Sequence, residues 1–400
     1  MKTIALRHLA EINPPCPRFE RLPHDSEVLF LPLETVWSDD RADQTRRATK
    51  RSVESGYTRF QAGDTVCPKV TPTFQAGRSM RANAIGAGTT ELHVLRPRAG
   101  VDPRWITYAV RSKHFLDEGV TAFQGVAGLQ RVPTEFIAHF GVVDVPEQEQ
   151  QRIADFLDDR VACIDQIITA RHAQEQALRE ARFAQLGQSL GASGPRRRLS
   201  HSLALGAVGV VVKPSSYFTE TGVPFVHGYN VRDGVFDLTD LKRMSPGDSI
   251  ALGRSRLRKG DVLVVRAGYP GRAAVVTAEL AGGNCASVLL LRPGPSLAPG
   301  WLSAFFNSPI GRAQIEAQQY GAAQEVINLS DVMAFSIPLP HRDVQERILR
   351  ELRSSEARWG QGLALLASEA SRLSELKQSL ITAAVTGELD VTTSGSGIPG

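Results

Sequence analysis

The feature that most constrains this chain is that it is written twice. The stretch "VLRPRAGVDPRW" (Val94 to Trp105) returns as "LLRPGPSLAPGW" (Leu290 to Trp301) with Leu, Arg, Pro, Pro and Trp in the same places. Arg96 and Arg292 stand 196 residues apart, and so do Trp105 and Trp301. Upstream, "RFQAGDTV" is echoed by "RLRKGDVL", with glycines 197 residues apart; downstream, "VVDVPEQEQQRI" is echoed by "SIPLPHRDVQERI", with Arg152 and Arg347 separated by 195. One proline-rich turn can recur by chance, but ordered matches at a near-constant offset mark a duplication. The period is far longer than a solenoid repeat, so each copy is domain-sized.

Each copy has two unlike parts. The first part is rich in Gly and Pro, with short apolar runs such as "VLFLPL", "ELHVLRP", "VPFVHGY", "DVLVVRAG" and "CASVLLLRP" that read as strands. "PRWITYAVRS" and "PGWLSAFFNS" read as short helices that start on a proline. An α/β class of the α+β kind follows. The second part, Glu147 to about Leu190 and His341 to about Val385, is loaded with Ala, Glu, Gln, Leu and Arg. Apolar residues at Ile153, Leu157, Val161, Ile164 and Ile168, and at Ile348, Leu352, Trp359, Leu363, Leu366, Ala370 and Leu373, keep helical spacing and predict two long helices with one apolar stripe each.

A helix with one stripe must bury it, and two such helices in one chain are natural partners. The alternative is that each packs on its own globular domain. Because one helix leads into the second copy and the other leaves it, pairing along their length makes an antiparallel coiled coil of about 60 Å. The expected organisation is a first target-binding domain over 1–145, a long helix over 146–190 and a linker over 191–198. A second domain over 199–339, a second long helix over 340–390 and a flexible tail over 391–400 complete it.

With 400 residues and 42% hydrophobic content, the chain can bury more than one core. No run of about 18 apolar residues occurs and the N-terminus lacks a signal-peptide core, so a cytoplasmic location with no membrane association is expected. Cys16, Cys67, Cys163 and Cys285 are scattered without a paired motif, which predicts neither disulfides nor zinc.

No complete catalytic set is present. "NPPC" (Asn13 to Cys16) has Cys16 where adenine methyltransferases place a base-stacking aromatic, and no cofactor-binding strand and Gly-rich turn precede it, so it reads as a strand end or turn. "IGAGTT" (Ile85 to Thr90) is half of a dinucleotide fingerprint and precedes a strand, so it reads as a turn. "DLK" (Asp240 to Lys242) lacks a partner acid and reads as a solvated strand edge. The nine histidines form no metalloprotease spacing.

Positive charge is clustered where binding loops belong, although the net charge is only +4. In copy one, Lys69, Arg78 and Arg81 lie among Thr71, Thr73, Gln75 and Asn83, and Arg131 follows in "GVAGLQRVP". In copy two, Arg254, Arg256, Arg258, Lys259, Arg266 and Arg272 surround the matching strand, with Tyr269 among them. "DDRADQTRRATKR" and "GPRRRLS" add further basic runs. Lys and Arg neutralise phosphates, while Arg, Gln, Asn and Thr read base edges. Two separated readers on a rigid spacer recognise two short half-sites with unread base pairs between them.

These residues resemble a known family, the specificity subunits of type I restriction-modification enzymes. "LRHLAEINP" is similar to the family's lead into its first target-recognition domain. "YTRFQAGDTVCPKVTPTFQAGRS" and "LRKGDVLVVRAGYPGRAAVV" resemble its paired Gly-Asp regions, and "GVAGLQRVP" its loop before the helix. "VPEQEQQRIADFLDDRVACID" resembles the proximal conserved helix and "LKQSLITAAVTGELDV" (Leu376 to Val391) the end of the distal one. Where the family has a Glu-Gln pair at the distal helix start, Val344 and Gln345 stand instead.

The resemblance implies mixed α/β recognition domains and a non-catalytic subunit that binds double-stranded DNA at a bipartite target. It implies two modification subunits, which carry S-adenosylmethionine and methylate adenine, and restriction subunits that use ATP and magnesium, with no cofactor on this chain itself. A fused methyltransferase with two recognition domains, or a scaffold without DNA function, are the competing readings.

Overall fold

A computed structural model of the chain describes residues 2–125, 130–211, 213–319 and 326–391. Residues 126–129 of the "GVAGLQRVP" loop and 392–400 of the expected tail lie outside the described residues. The chain divides into two compact units: residues 1–173 with the segment from Leu366 onward, and residues 174–365.

In the first unit, β1 (Thr3–Ala5), β2 (Ala10–Ile12), β3 (Glu27–Leu31), β4 (Arg47–Thr49) and β5 (Thr58–Phe60) are followed by β6 (Thr65–Pro68), β7 (Met80–Arg81), β8 (Gly86–Gly88), β9 (Leu92–Pro97) and β10 (Gly141–Val143). They form an antiparallel sheet β2-β9-β6-β7, a mixed sheet β4-β3-β8-β5 and a β1-β10 pair. The second unit holds β11 (Arg196–Arg198), β12 (Leu203–Val208), β13 (Val223–His227), β14 (Lys242–Met244), β15 (Val262–Val265), β16 (Ala273–Val275), β17 (Asn284–Ala286), β18 (Val288–Pro293) and β19 (Ser336–Pro338). Its sheets are β12-β18-β15-β16, β14-β13-β17 and β11-β19. Strand for strand the order repeats, and β3 pairs parallel with β8 as β13 does with β17. Among the described residues only β5 lacks a counterpart strand, and a single bridge from Arg256 to Asn284 stands in its place. The duplication read in the letters is thus a duplication of topology.

The shared motifs build the same corner twice. Arg96 on β9 donates through Nε and Nη2 to Asp64 at 2.9 and 2.7 Å; Arg292 on β18 does the same to Asp261 at 2.7 and 2.8 Å. Both aspartates are 1% exposed, and each also accepts a turn N–H, from Gln61 and Arg258 respectively. The glycine before each aspartate, Gly63 or Gly260, has φ +89°, a left-handed turn that a side chain disfavours. Beyond the prolines, helices Pro103–Ala109 and Pro299–Phe306 bury Trp105 and Trp301 completely. Two buried glutamines then tie each corner to a long helix: Gln150 Oε1 accepts from Asp102 N at 3.1 Å and Gln345 Oε1 from Ala298 N at 2.8 Å. Gln345 therefore does the work of Gln150, and Val344 in place of an acidic residue leaves the helix start at Arg342 undisturbed.

The long helices run Glu147–Gly191 and Arg342–Thr386, 45 residues each. Within the first unit Asp165 meets Lys377 at 2.6 Å and Arg171 meets Glu369 at 2.8 Å, so numbers rise on one helix as they fall on the other. In the second unit Gln185 accepts from the Trp359 indole at 3.0 Å, Arg182 pairs with Glu356, and a Cβ at Gly362 would lie 3.1 Å from Leu178. Both stretches are antiparallel pairs, and Gly362 permits the close approach rather than breaking the helix. The stripes do more than pair: Ile153, Leu157, Val161, Ile381, Ala384 and Val385 join the core around Trp105, while Leu190 and Leu349 join that around Trp301. Pairing and packing on the domains are therefore combined, because a stripe of this length outruns either partner alone.

One expectation is corrected. "IGAGTT" is no turn: Gly86–Gly88 is β8, an inner strand of its sheet, buried and hydrogen-bonded on both sides. A Cβ at Gly86 would sit 2.2 Å from the Leu29 carbonyl oxygen, so the glycine serves close approach within the sheet. "NPPC" behaves as expected, with Asn13 at φ 50° and Cys16 buried before a short helix.

His93 is a difference between the copies. It is 1% exposed; its Nε2 faces the Val132 carbonyl at 3.0 Å and its Nδ1 the Asn13 amide nitrogen at 3.1 Å, an arrangement that requires the neutral ring. Burial pushes its pKa down to about 4. In copy two the corresponding residue is Leu289, fully buried. A depressed histidine pKa means that its contribution is complete above the free value near 6.5 and is lost as pH falls toward 4. The loss expected from this window is about 3 kcal/mol. Urea unfolding of wild type and His93→Gln at pH 7 and pH 4.5 should show a smaller pH-dependent loss in the variant; equal losses would contradict the assignment.

Candidate nucleic-acid interface

The basic residues singled out in the sequence lie in and around the β6-β7 and β15-β16 hairpins, with Arg254, Arg256, Arg258 and Lys259 on the approach to β15 and Arg131 in a later loop, and the fold sorts them into free and committed groups. In the first unit Lys69 is half-buried, donates through Nζ to the Thr90 carbonyl at 2.8 Å, and is lowered in pKa by burial. Thr73 is buried and donates to the Val70 carbonyl at 2.7 Å. Arg131 forks onto Glu91 at 2.8 and 2.7 Å. These three are drawn into the scaffold. Thr71 is half-buried, whereas Gln75, Arg81 and Asn83 are exposed. Arg78 lies with its guanidinium carbon 3.3 Å from the centroid of the Trp37 ring.

The second unit keeps more free charge. Arg254, Arg256, Arg258 and Lys259 are all exposed on the turn that leads into β15. Arg266 points back into the fold, donating to the Ile327 carbonyl and the Asn328 side chain at 3.3 Å each. Tyr269 is 63% exposed, and the Arg272 guanidinium lies 4.0 Å from its ring centroid.

The basic runs also divide. In "DDRADQTRRATKR", Arg41 is held by Asp39, Arg46 by Glu34 and Asp43, and Lys50 is 2% exposed with its ammonium on the Glu20 and Leu22 carbonyls. Much of that run neutralises itself. Arg196, Arg197 and Arg198 of "GPRRRLS" form β11 and are all exposed.

Several contributors were not singled out in the sequence. Gln44 accepts from the Asn83 backbone at 2.8 Å and donates to the Arg81 carbonyl at 3.1 Å, clamping the chain as it leaves β7. Trp37 and Arg41 support Arg78 from a loop some forty residues earlier. In the second unit His227 and Tyr229 stack at 5.4 Å with 16° between their rings, Tyr229 being 47% and nearby Phe218 41% exposed. An aromatic inside a charged run, as in "VWSDDR", is the signal that could have found Trp37; the ring pair at the end of β13 had none.

Among the described residues, no group of three or more His, Cys, Asp or Glu side chains is placed to hold a metal ion. No helix among them is long and apolar enough to cross a membrane. Cys16, Cys67 and Cys285 are buried and Cys163 exposed, all as free thiols, and burial pushes the Cys67 thiol up to about 12. What the exposed surface offers is cations, amides and flat rings, the chemistry of phosphates and base edges.

No family model matches the chain. The type I restriction enzyme EcoEI specificity subunit of Escherichia coli is 31% identical over 183 residues, which is 43% of this chain and 30% of that protein. The corresponding EcoAI subunit, also of Escherichia coli, is 31% identical over 181 residues with the same coverage. The match thus spans less than a third of the length of these relatives. Among solved structures, a chain from a study of complex assembly and conformational transition in a type I R-M system shares the fold, with TM-score 0.74 at 16% identity over 97% of this chain and 98% of that one.

Proposed function

We propose that this chain, which resembles the specificity subunits of type I restriction enzymes, is a DNA-recognition subunit that reads a bipartite target. One observation carries the reading. The two units repeat the same corner, Asp64 with Arg96 and Asp261 with Arg292, while the loops around it share an arginine before the second strand, Arg78 and Arg272, and otherwise differ in length and in their candidate contact residues. A shared scaffold with unlike loops is what two readers of unlike half-sites require.

On this reading the chain has no catalysis of its own and works in the cytoplasm. The long helices set the separation of the half-sites and dock two modification subunits, which carry S-adenosylmethionine and methylate adenine. Restriction subunits with ATP and magnesium complete the assembly. The candidate DNA contacts are the exposed residues of the two loops, with Arg131, Arg266, Lys69 and Thr73 acting through the scaffold.

The test is to co-express the chain with the modification subunit encoded beside it and map adenine methylation. Two short motifs separated by a fixed unread spacer are expected. Exchanging residues 199–339 for those of a relative should replace one motif and leave the other. A single continuous motif, or an unchanged pattern after the exchange, would overturn the proposal.

A further inference from the structure

The stacked arginines are the part of this surface that the structure develops furthest. Trp37 is fixed by its own indole N–H, which donates to the Glu34 carbonyl at 2.8 Å. Arg78 and Arg41 bring guanidinium carbons within 3.3 and 3.6 Å of its ring centroid. One face of an indole has no room for both at such distances, so the ring is sandwiched between them. Arg41 is pinned in turn by Asp39, at 2.9 Å from Nε and 2.6 Å from Nη2. Next to it, Asp40 accepts from Thr169 Oγ1 of the first long helix at 3.0 Å. The loop that presents the ring is therefore anchored on both sides.

Arg78 differs from Arg41 in having no carboxylate partner among the described residues. Among the described residues no carboxylate lies within ion-pair distance of it, and its Nε is buried without an acceptor. Its flat face is used by the ring, while the edge that carries its N–H donors is uncommitted.

The second unit repeats the arrangement with other residues. Arg272 immediately precedes β16, as Arg78 stands two residues before β7, the equivalent strand. Its ring is Tyr269, supplied by the same turn. Asp233 Oδ1 is 3.8 Å from Arg272 Nε, but that oxygen is already engaged by Arg312 at 2.8 Å.

We propose that Trp37 and Tyr269 are positioning residues that hold Arg78 and Arg272 as guanine readers, one in each half-site. A guanidinium whose plane is fixed by stacking loses little further freedom on binding, and its fork matches O6 and N7 of guanine in the major groove. A phosphate can also take the arginine fork, but its oxygens accept from several directions and an unsupported Lys or Arg can reach them, so a fixed plane gains most against the flat edge of a base.

The proposal rests on the bipartite reading above, and the experiment separates the two. The full chain is co-expressed with its modification subunit and methylation is read across a randomised library of double-stranded DNA. Wild type is expected to show a G:C pair in each half-site. Trp37→Leu should lower the preference for that pair in one half-site roughly tenfold, with the other half-site unchanged, and Tyr269→Leu should do the reverse. Trp37→Phe, which keeps a stacking face, should restore selectivity, and Arg78→Lys should keep the salt dependence of binding but lose the base preference. If Trp37→Leu weakens all sites uniformly, Arg78 is a phosphate contact and the proposal fails. It fails too if wild type gives a two-part motif that the variants leave intact, or that has no guanine. Absence of any two-part motif in wild type would instead sink the reading on which it rests.

Discussion

Removal of the carboxylate of Asp64 or Asp261 is expected to destabilise its unit by about 3–5 kcal/mol, because each leaves a half-buried arginine without its counter-charge. Asp64 and Asp261 are 1% exposed, and their arginines keep only 16% and 20% of side-chain surface. The carboxylate also satisfies a turn N–H, so Asp64→Ala strands donors on two sides. Asp64→Asn, which keeps an acceptor oxygen, should fall between wild type and alanine. A domain's total stability is about 5–15 kcal/mol, so the alanine variant should visibly lower the thermal unfolding midpoint of the full chain. A loss below about 1 kcal/mol would show that the pair is an exposed, screened one. Because the pair occurs once per copy, Asp261→Ala should give a matching loss in the other unit.

Trp105→Ala and Trp301→Ala are expected to cost about 3–5 kcal/mol each through the cavity left in a close-packed core. The two tryptophans are fully buried, but their indole nitrogens differ. Trp301 Nε1 donates to the Pro338 carbonyl at 2.7 Å, whereas Trp105 Nε1 has no partner among the described residues. The phenylalanine variants therefore separate packing from hydrogen bonding. Trp301→Phe should lose about 1–3 kcal/mol more than Trp105→Phe, since it leaves a buried carbonyl unpaired while the other change removes an orphan donor. Equal losses in urea unfolding would place the whole effect in volume.

Much of the scaffold was legible in the letters. The offset between the LRP motifs located both corners, the apolar spacing located both long helices, the first to within about a residue and the second with its 340–390 bounds running four residues past the helix end at Thr386, and Gly and Pro bounded the strands. These features are local: a period of three to four residues buries a stripe wherever the helix ends up, and a Pro at a helix start needs no tertiary partner. "IGAGTT" was misread for the complementary reason. Its glycines answer to the Leu29 and Leu31 carbonyls more than fifty residues away, and no local pattern distinguishes a glycine needed for a turn from one needed for close approach.

The candidate interface was only half legible. The sequence located both basic loops by their place after the Gly-Asp strands, but it could not tell which charges were spoken for. Arg131 on Glu91, Lys50 on two carbonyls and Arg266 on residues 327 and 328 are ordinary arginines and lysines until the chain folds.

What the sequence determined by itself is that one scaffold is used twice, with two long helices and unlike basic loops, because duplication and amphipathic spacing are properties of the string. Which cations remain free, and that Trp37 stands behind Arg78, was decided only by tertiary structure. A charge is committed or available according to what lies within about 4 Å of it, and distance in space is set by how the strands pair.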